Sequence, residues 1–125
     1  MNIIKRLPGL PVERTLGVIS GRWKAVLLYT LLDGPQRTCE LETRIAGISQ
    51  KVLIEQLRVL EEHGMVSRQP SAGSSQGIEY LLTPLGESLR PILDSLIAWG
   101  AHHAKELDEV DRLLPCEAVV RDRVI

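Results

Sequence analysis

Apolar residues recur along this chain with two different periods, and the change of period lays out the architecture. Pro11 suits the first position of a helix, and Val12, Leu16 and Ile19 follow at helical spacing until Ser20-Gly21 ends the run. Trp23, Val26, Leu27, Thr30 and Leu31 resume the same period up to the stop signal Asp33-Gly34-Pro35. This second helix is apolar on nearly every side, which places it in the core. Gln36-Arg37-Thr38 has room only for a connector or a small strand. Thr38 is positioned to cap a short helix over residues 39–46 that buries Leu41 and Ile45 and stops at Gly47. Ser49 offers a new cap for a longer helix over residues 50–63, closed by Gly64. Two helices joined by a short turn containing glycine form a helix-turn-helix pattern.

After Gly64 the period falls to two. Residues 65–69 and 78–82 read as strands, and the polar stretch 70–77, with its Pro, Ser and Gly, makes them a hairpin. Thr83-Pro84 then reads as a cap followed by the first helical position, with Glu87 complementing the helix dipole. Leu85, Leu89, Ile92, Leu93, Leu96 and Ile97 form a long apolar stripe that runs to Trp99, with a kink expected at Pro91, which cannot donate to the Glu87 carbonyl. The order predicts a mainly α chain with a small β-hairpin (α+β): a winged helix-turn-helix. Residues 1–10 form an N-terminal arm, 11–108 the domain with its long last helix, and 109–125 a C-terminal extension.

Composition narrows the function. The 125 residues, 44% apolar and 25% charged, suit a single globular domain, and no apolar run reaches a membrane span. The first residues lack a signal peptide's apolar core, so a soluble, cytoplasmic protein is expected. Cys39 and Cys116 lie far apart and imply reduced thiols. With aromatics at only 3%, a sheet face that stacks single-stranded RNA is disfavoured, and any nucleic acid bound is expected to be a duplex. Residues 1–60 hold nine Lys and Arg against five acids, whereas 61–125 hold six against eleven. The positive half fits an anionic partner, although ordinary solvated faces account for such an imbalance equally well.

On a helical wheel Leu53, Leu57 and Leu60 share one side of the helix over 50–63, with Lys51, Glu55, Arg58 and Glu62 opposite. The outward face therefore offers Gln50 and Lys51 as donors, Ile54 as an apolar probe for a thymine methyl and Arg58 for phosphate. Glu55 repels phosphate but is able to accept from a cytosine amino group. The Ser49 hydroxyl is free to donate to a phosphate only while its oxygen caps the helix. Taken alone, the same pattern is also that of any amphipathic helix. Arg37 is a candidate phosphate clamp ahead of the helix-turn-helix, Arg68 one on the wing. Arg22 and Lys24 start the second helix, where a cation opposes the local dipole and hints at an external anion, while Trp23 between them reads as core.

Six collinear blocks resemble the HxlR-type bacterial transcriptional regulators, relatives of the MarR group. They are Pro11-Val12-Glu13-Arg14-Thr15-Leu16, Gly21-Arg22-Trp23-Lys24, Leu32-Asp33-Gly34-Pro35, Gly47-Ile48-Ser49-Gln50-Lys51-Val52-Leu53, Gln56-Leu57-Arg58-Val59-Leu60-Glu61 and Glu79-Tyr80-Leu81-Leu82-Thr83-Pro84-Leu85-Gly86. The resemblance spans about residues 11–100 and implies duplex DNA contact by Arg37, Ser49, Gln50, Lys51, Ile54, Glu55, Arg58 and Arg68. It also implies pairing of two copies through the terminal helices, with Leu16, Ile19, Leu89, Leu93, Leu96 and Ile97 at the interface.

Ile54 and Glu55 depart from the family pattern, as does Ser75-Gln76-Gly77 where relatives often show Pro-Pro-Arg, so the operator is not carried over and a weak wing contact is expected. Several relatives sense thiol-reactive compounds through a cysteine before the first-block proline. Leu10 stands there instead, and redox sensing is not carried over. Cys39 is expected as a small buried apolar residue.

The resulting expectation is a sequence-specific, dimeric DNA-binding regulator of the repressor type, with no cofactor and compatible with a small-molecule effector. The alternative is a winged helix protein-interaction module without specific DNA binding. No nucleophile and base pair, phosphate-cradling glycine loop or metal triad points to an enzyme. His102, His103 and Glu106 share a helix face but supply too few ligands for a metal.

Overall fold

The computed structural model describes residues 6–71 and 77–113. Helix α1 (Pro11–Ile19) opens on its proline, which needs no backbone N–H there. Helix α2 (Lys24–Leu31) buries Leu27, Leu28, Thr30 and Leu31, as its apolar surround predicts. The connector after it is the short strand β1 (Gln36–Arg37), followed directly by α3 (Thr38–Arg44). Thr38 is the first helical residue and not the cap. Arg37 holds the cap position, and its backbone N–H donates to Glu40 Oε1 at 2.8 Å. The sheet ladder already holds Arg37 extended, so the helix begins one residue earlier than expected.

Helix α4 (Gln50–Glu62) starts at Ser49, whose Oγ accepts from the Val52 N–H at 3.2 Å. Between α3 and α4 the chain turns at Gly47, whose φ of +88° is a left-handed conformation that side chains disfavour. Strands β2 (Val66–Pro70) and β3 (Ile78–Leu82) pair antiparallel from Val66 with Leu82 to Pro70 with Ile78. The Ser71 N–H donates to the Gly77 carbonyl at 2.9 Å and closes the base of the wing loop. β1 also joins the sheet, pairing Gln36 with Tyr80 and Arg37 with Glu79, so the order is β1-β3-β2. The expected hairpin is thus the larger part of a three-stranded sheet.

The expected long last helix is divided. A single turn, α5 (Pro84–Glu87), is capped by Thr83 Oγ1, which accepts from the Gly86 N–H at 3.0 Å. The main helix α6 (Arg90–Glu106) restarts after Ser88-Leu89 with Pro91 in its first turn. The missing proline N–H therefore falls where a helix needs no donor, and the expected kink becomes a break and restart. A 3-10 turn, Val110–Arg112, follows.

One core joins these elements: Leu27, Leu28 and Leu31 of α2, Leu41 and Ile45 around α3, Leu53, Leu57 and Leu60 of α4, and Val66, Leu82, Leu89 and Leu93 from the sheet and last helices. Among the described residues no helix is long and apolar enough to cross a membrane.

Candidate nucleic-acid interface

The core fixes the orientation of α4. Leu53, Leu57 and Leu60 have no exposed surface, so the residues half a turn away must face outward. Gln50, Lys51, Ile54, Glu55 and Arg58 are all exposed and together line one shallow concavity along the helix. Lys51 and Arg58 make no ion pair or hydrogen bond with any described residue. Glu55 lies on the same face, and Ile54 is 42% exposed, so an apolar group sits among polar ones. Ser49 keeps its hydroxyl proton available while its oxygen caps α4. Glu62, read from the wheel as opposite the leucines, is only half-exposed near the end of the helix.

The structure separates the two outlying arginines. Arg37 sits on β1 at the base of the wing, with a Gly77 Cβ position 3.4 Å from its Cδ. Its Nε lies 3.6 Å from Glu40 Oε1, and both side chains are nearly half-exposed. Arg68 on β2 pairs with Glu61 Oε2 at 3.2 Å, which ties the wing to the end of α4. A phosphate contact by Arg68 therefore competes with an existing carboxylate. Ser75 and Gln76, where the family pattern is broken, lie outside the described residues.

Cys39 corrects an expectation: it is exposed. The short α3 turns Leu41 and Ile45 inward, and Cys39, two positions before Leu41, falls on the far side of the helix. Cys116 lies outside the described residues. His102 and His103 are exposed on α6, and the His103 ring stacks on Trp99 with centroids 5.1 Å apart. Among the described residues no three His, Cys, Asp or Glu side chains gather as a metal site.

Of the six apolar residues expected at a dimer interface, the structure places Ile19, Leu89 and Leu93 in this chain's own core. Leu16, Leu96 and Ile97 are exposed, at 52%, 45% and 39%, together with Val12 on α1 and Ile92 and Trp99 on α6, which the interface expectation did not name.

Two further residues hold the site in place and gave no sequence signal. Arg44 bonds Asp33 Oδ2 and Gln36 Oε1, each at 2.6 Å, clamping α3 to the loop that leads into β1. Gly86 is buried against the turn between α4 and β2, where a Cβ would overlap the Met65 carbonyl oxygen. Thr83 Oγ1 donates nearby to the Gly64 carbonyl at 2.6 Å.

A helix-turn-helix whose second helix shows an exposed polar and cationic face, backed by a wing, defines a DNA-binding winged helix protein. The HxlR-like helix-turn-helix family model matches residues 18–108, and the chain belongs to that family. Among its relatives is the uncharacterized HTH-type transcriptional regulator YkvN of Bacillus subtilis (strain 168), 48% identical over 94 residues that cover 75% of this chain and 80% of the relative. YtcD of the same organism, also an uncharacterized HTH-type transcriptional regulator, is 44% identical over 99 residues, 79% of each chain. Among solved structures, the redox regulator HypR in its reduced form superposes with a TM-score of 0.71 at 39% identity, covering 78% of this chain and 97% of that one. The protein is a DNA-binding transcriptional regulator and not an enzyme.

Proposed function

We propose that the protein represses transcription as a homodimer that binds a specific duplex operator and occludes a promoter, with α4 of each copy in the major groove. The observation that carries this reading is the pair Lys51 and Arg58, exposed and without partners among the described residues, one helix face away from the buried leucines. In such a groove the start of α4 reads bases, Gln50 suiting adenine and Ile54 a thymine methyl, while Arg58, two turns further on, meets phosphate. Glu55 selects against a guanine oxygen and accepts from a cytosine amino group. Pairing is supported by the apolar residues left exposed on α1 and α6, which a second copy would cover. A two-fold axis there sets two recognition helices about 34 Å apart, one turn of DNA.

Selection of bound sequences from a random duplex pool tests the reading. The expected result is an enriched inverted repeat with half-sites one turn apart, bound with an affinity that falls steeply with salt. A pool without enrichment, retained equally at all salt concentrations, would show instead a winged helix serving protein contacts.

A further inference from the structure

Two basic residues flank Trp23, and the fold gives them opposite tasks. Lys24 turns inward, its Nζ donating to the Gly17 carbonyl at 2.9 Å, and so joins α2 to the end of α1. Arg22 turns outward. Its guanidinium carbon stands 4.4 Å from the centroid of the Trp23 ring, and it makes no hydrogen bond or ion pair with any described residue. The ring beneath it is half-buried and packed on the core. Its far edge, Cη2, lies 3.8 Å from the place a Cβ on Gly47 would occupy. Trp23 therefore carries Arg22 to the turn between α3 and α4, two residues ahead of the Ser49 cap.

An arginine stacked on an aromatic face keeps the N–H groups along its rim free, already arranged to meet two oxygens at once. Three other cations of this half of the chain are used differently. Arg44 is bound to Asp33 and Gln36, Lys24 to a backbone carbonyl, and Arg37 leans on Glu40. Arg22 is held in position yet has no acid to neutralise it. It also lies off the concave face formed by Gln50, Lys51, Ile54, Glu55 and Arg58, on the side of the turn at Gly47.

From this we infer that Arg22 is a phosphate-binding residue of the DNA interface, braced by Trp23 against the helix-turn-helix turn so that it grips the backbone beside the groove α4 enters. The inference rests on the DNA reading of α4 given above.

The test measures binding of the full chain to its selected duplex and to a scrambled one across a salt series. Arg22→Gln is expected to weaken both by the same factor, about 3-fold to 10-fold at low salt, and to reduce the log–log salt slope by about 0.9 per protomer. The preference between the duplexes stays unchanged, and the urea midpoint falls only slightly, by the loss of one exposed cation–π contact. Arg22→Lys, which keeps the charge, recovers most of the slope. Arg112→Gln, a charge change at the far end of the chain, leaves binding as it was. A wild-type slope in Arg22→Gln, or an equal loss in Arg112→Gln, overturns the assignment of Arg22 alone. Salt-independent retention of the wild-type chain on any duplex overturns the α4 reading along with it.

Discussion

In the proposed DNA complex, individual side chains divide the work of α4 between reading and anchoring. Gln50 stands at the helix start and Arg58 two turns on, so their substitutions should separate cleanly. Gln50→Ala is expected to alter base preference at one operator position by about 1–3 kcal/mol. Arg58→Gln should weaken binding to all duplexes alike and flatten the salt dependence. Fluorescence anisotropy with single-base operator variants reads both, and an equal loss on every variant for Gln50→Ala would remove it from base recognition. Lys24 offers a test on stability. Burial lowers its pKa from the ordinary 10.5, so near the upper end of the pH range the unfolded chain binds more protons than the folded one. Stability therefore gains a contribution as pH rises towards 10.5 from below, and none is gained at neutral pH, where both states are protonated. That rise should be absent from Lys24→Met and so show as the difference between paired urea melts of the two proteins, and identical pH slopes would refute it.

At the level of elements, the helices were legible because each has a clear period and a clear end: the apolar run of α2 stopped at Asp33-Gly34-Pro35, α4 set between Ser49 and Gly64, and Thr83-Pro84 opening α5. The outward face of α4 was legible for the same reason, since three buried leucines determine what lies opposite. Three features were not, and each depends on distance in sequence. β1 is two residues long and exists only because β3, more than forty positions on, pairs with it. Arg44 counts as surface charge until Asp33 and Gln36 are seen beside it. Gly86, which closes the last of the six blocks, reads as an ordinary helix residue until the Met65 backbone is found against it. That close approach predicts that Gly86→Ala destabilises the fold by about 2–4 kcal/mol, because backbone must move to admit one methyl group. Urea denaturation checks this, and a loss below about 0.5 kcal/mol, the range of an indifferent surface change, would mean that the contact relaxes freely.

For the whole molecule, the apolar surface left on α1 and α6 is the feature a single copy does not account for. Its spread over Val12, Leu16, Ile92, Leu96, Ile97 and Trp99 predicts a dimer whose melting temperature rises with protein concentration. Leu96→Glu should give a 13.9 kDa species by sedimentation at micromolar concentration while the winged helix stays folded, and should lower operator affinity by more than any one phosphate contact. A wild-type protein already sedimenting at 13.9 kDa would remove the second copy from the proposal. Of the nine cations in the first half of the chain, Lys24 and Arg44 are committed within the fold and offer no contact to a partner.

The two-residue strand before α3 has a mechanical consequence. Because Arg37 is laddered to Glu79, the wing's inner strand and the entry to the first helix of the reading unit turn as one plate. Such a plate is expected to meet a duplex as a stiff stamp, so that DNA able to bend or narrow cheaply to its outline would be favoured even at base pairs no side chain touches.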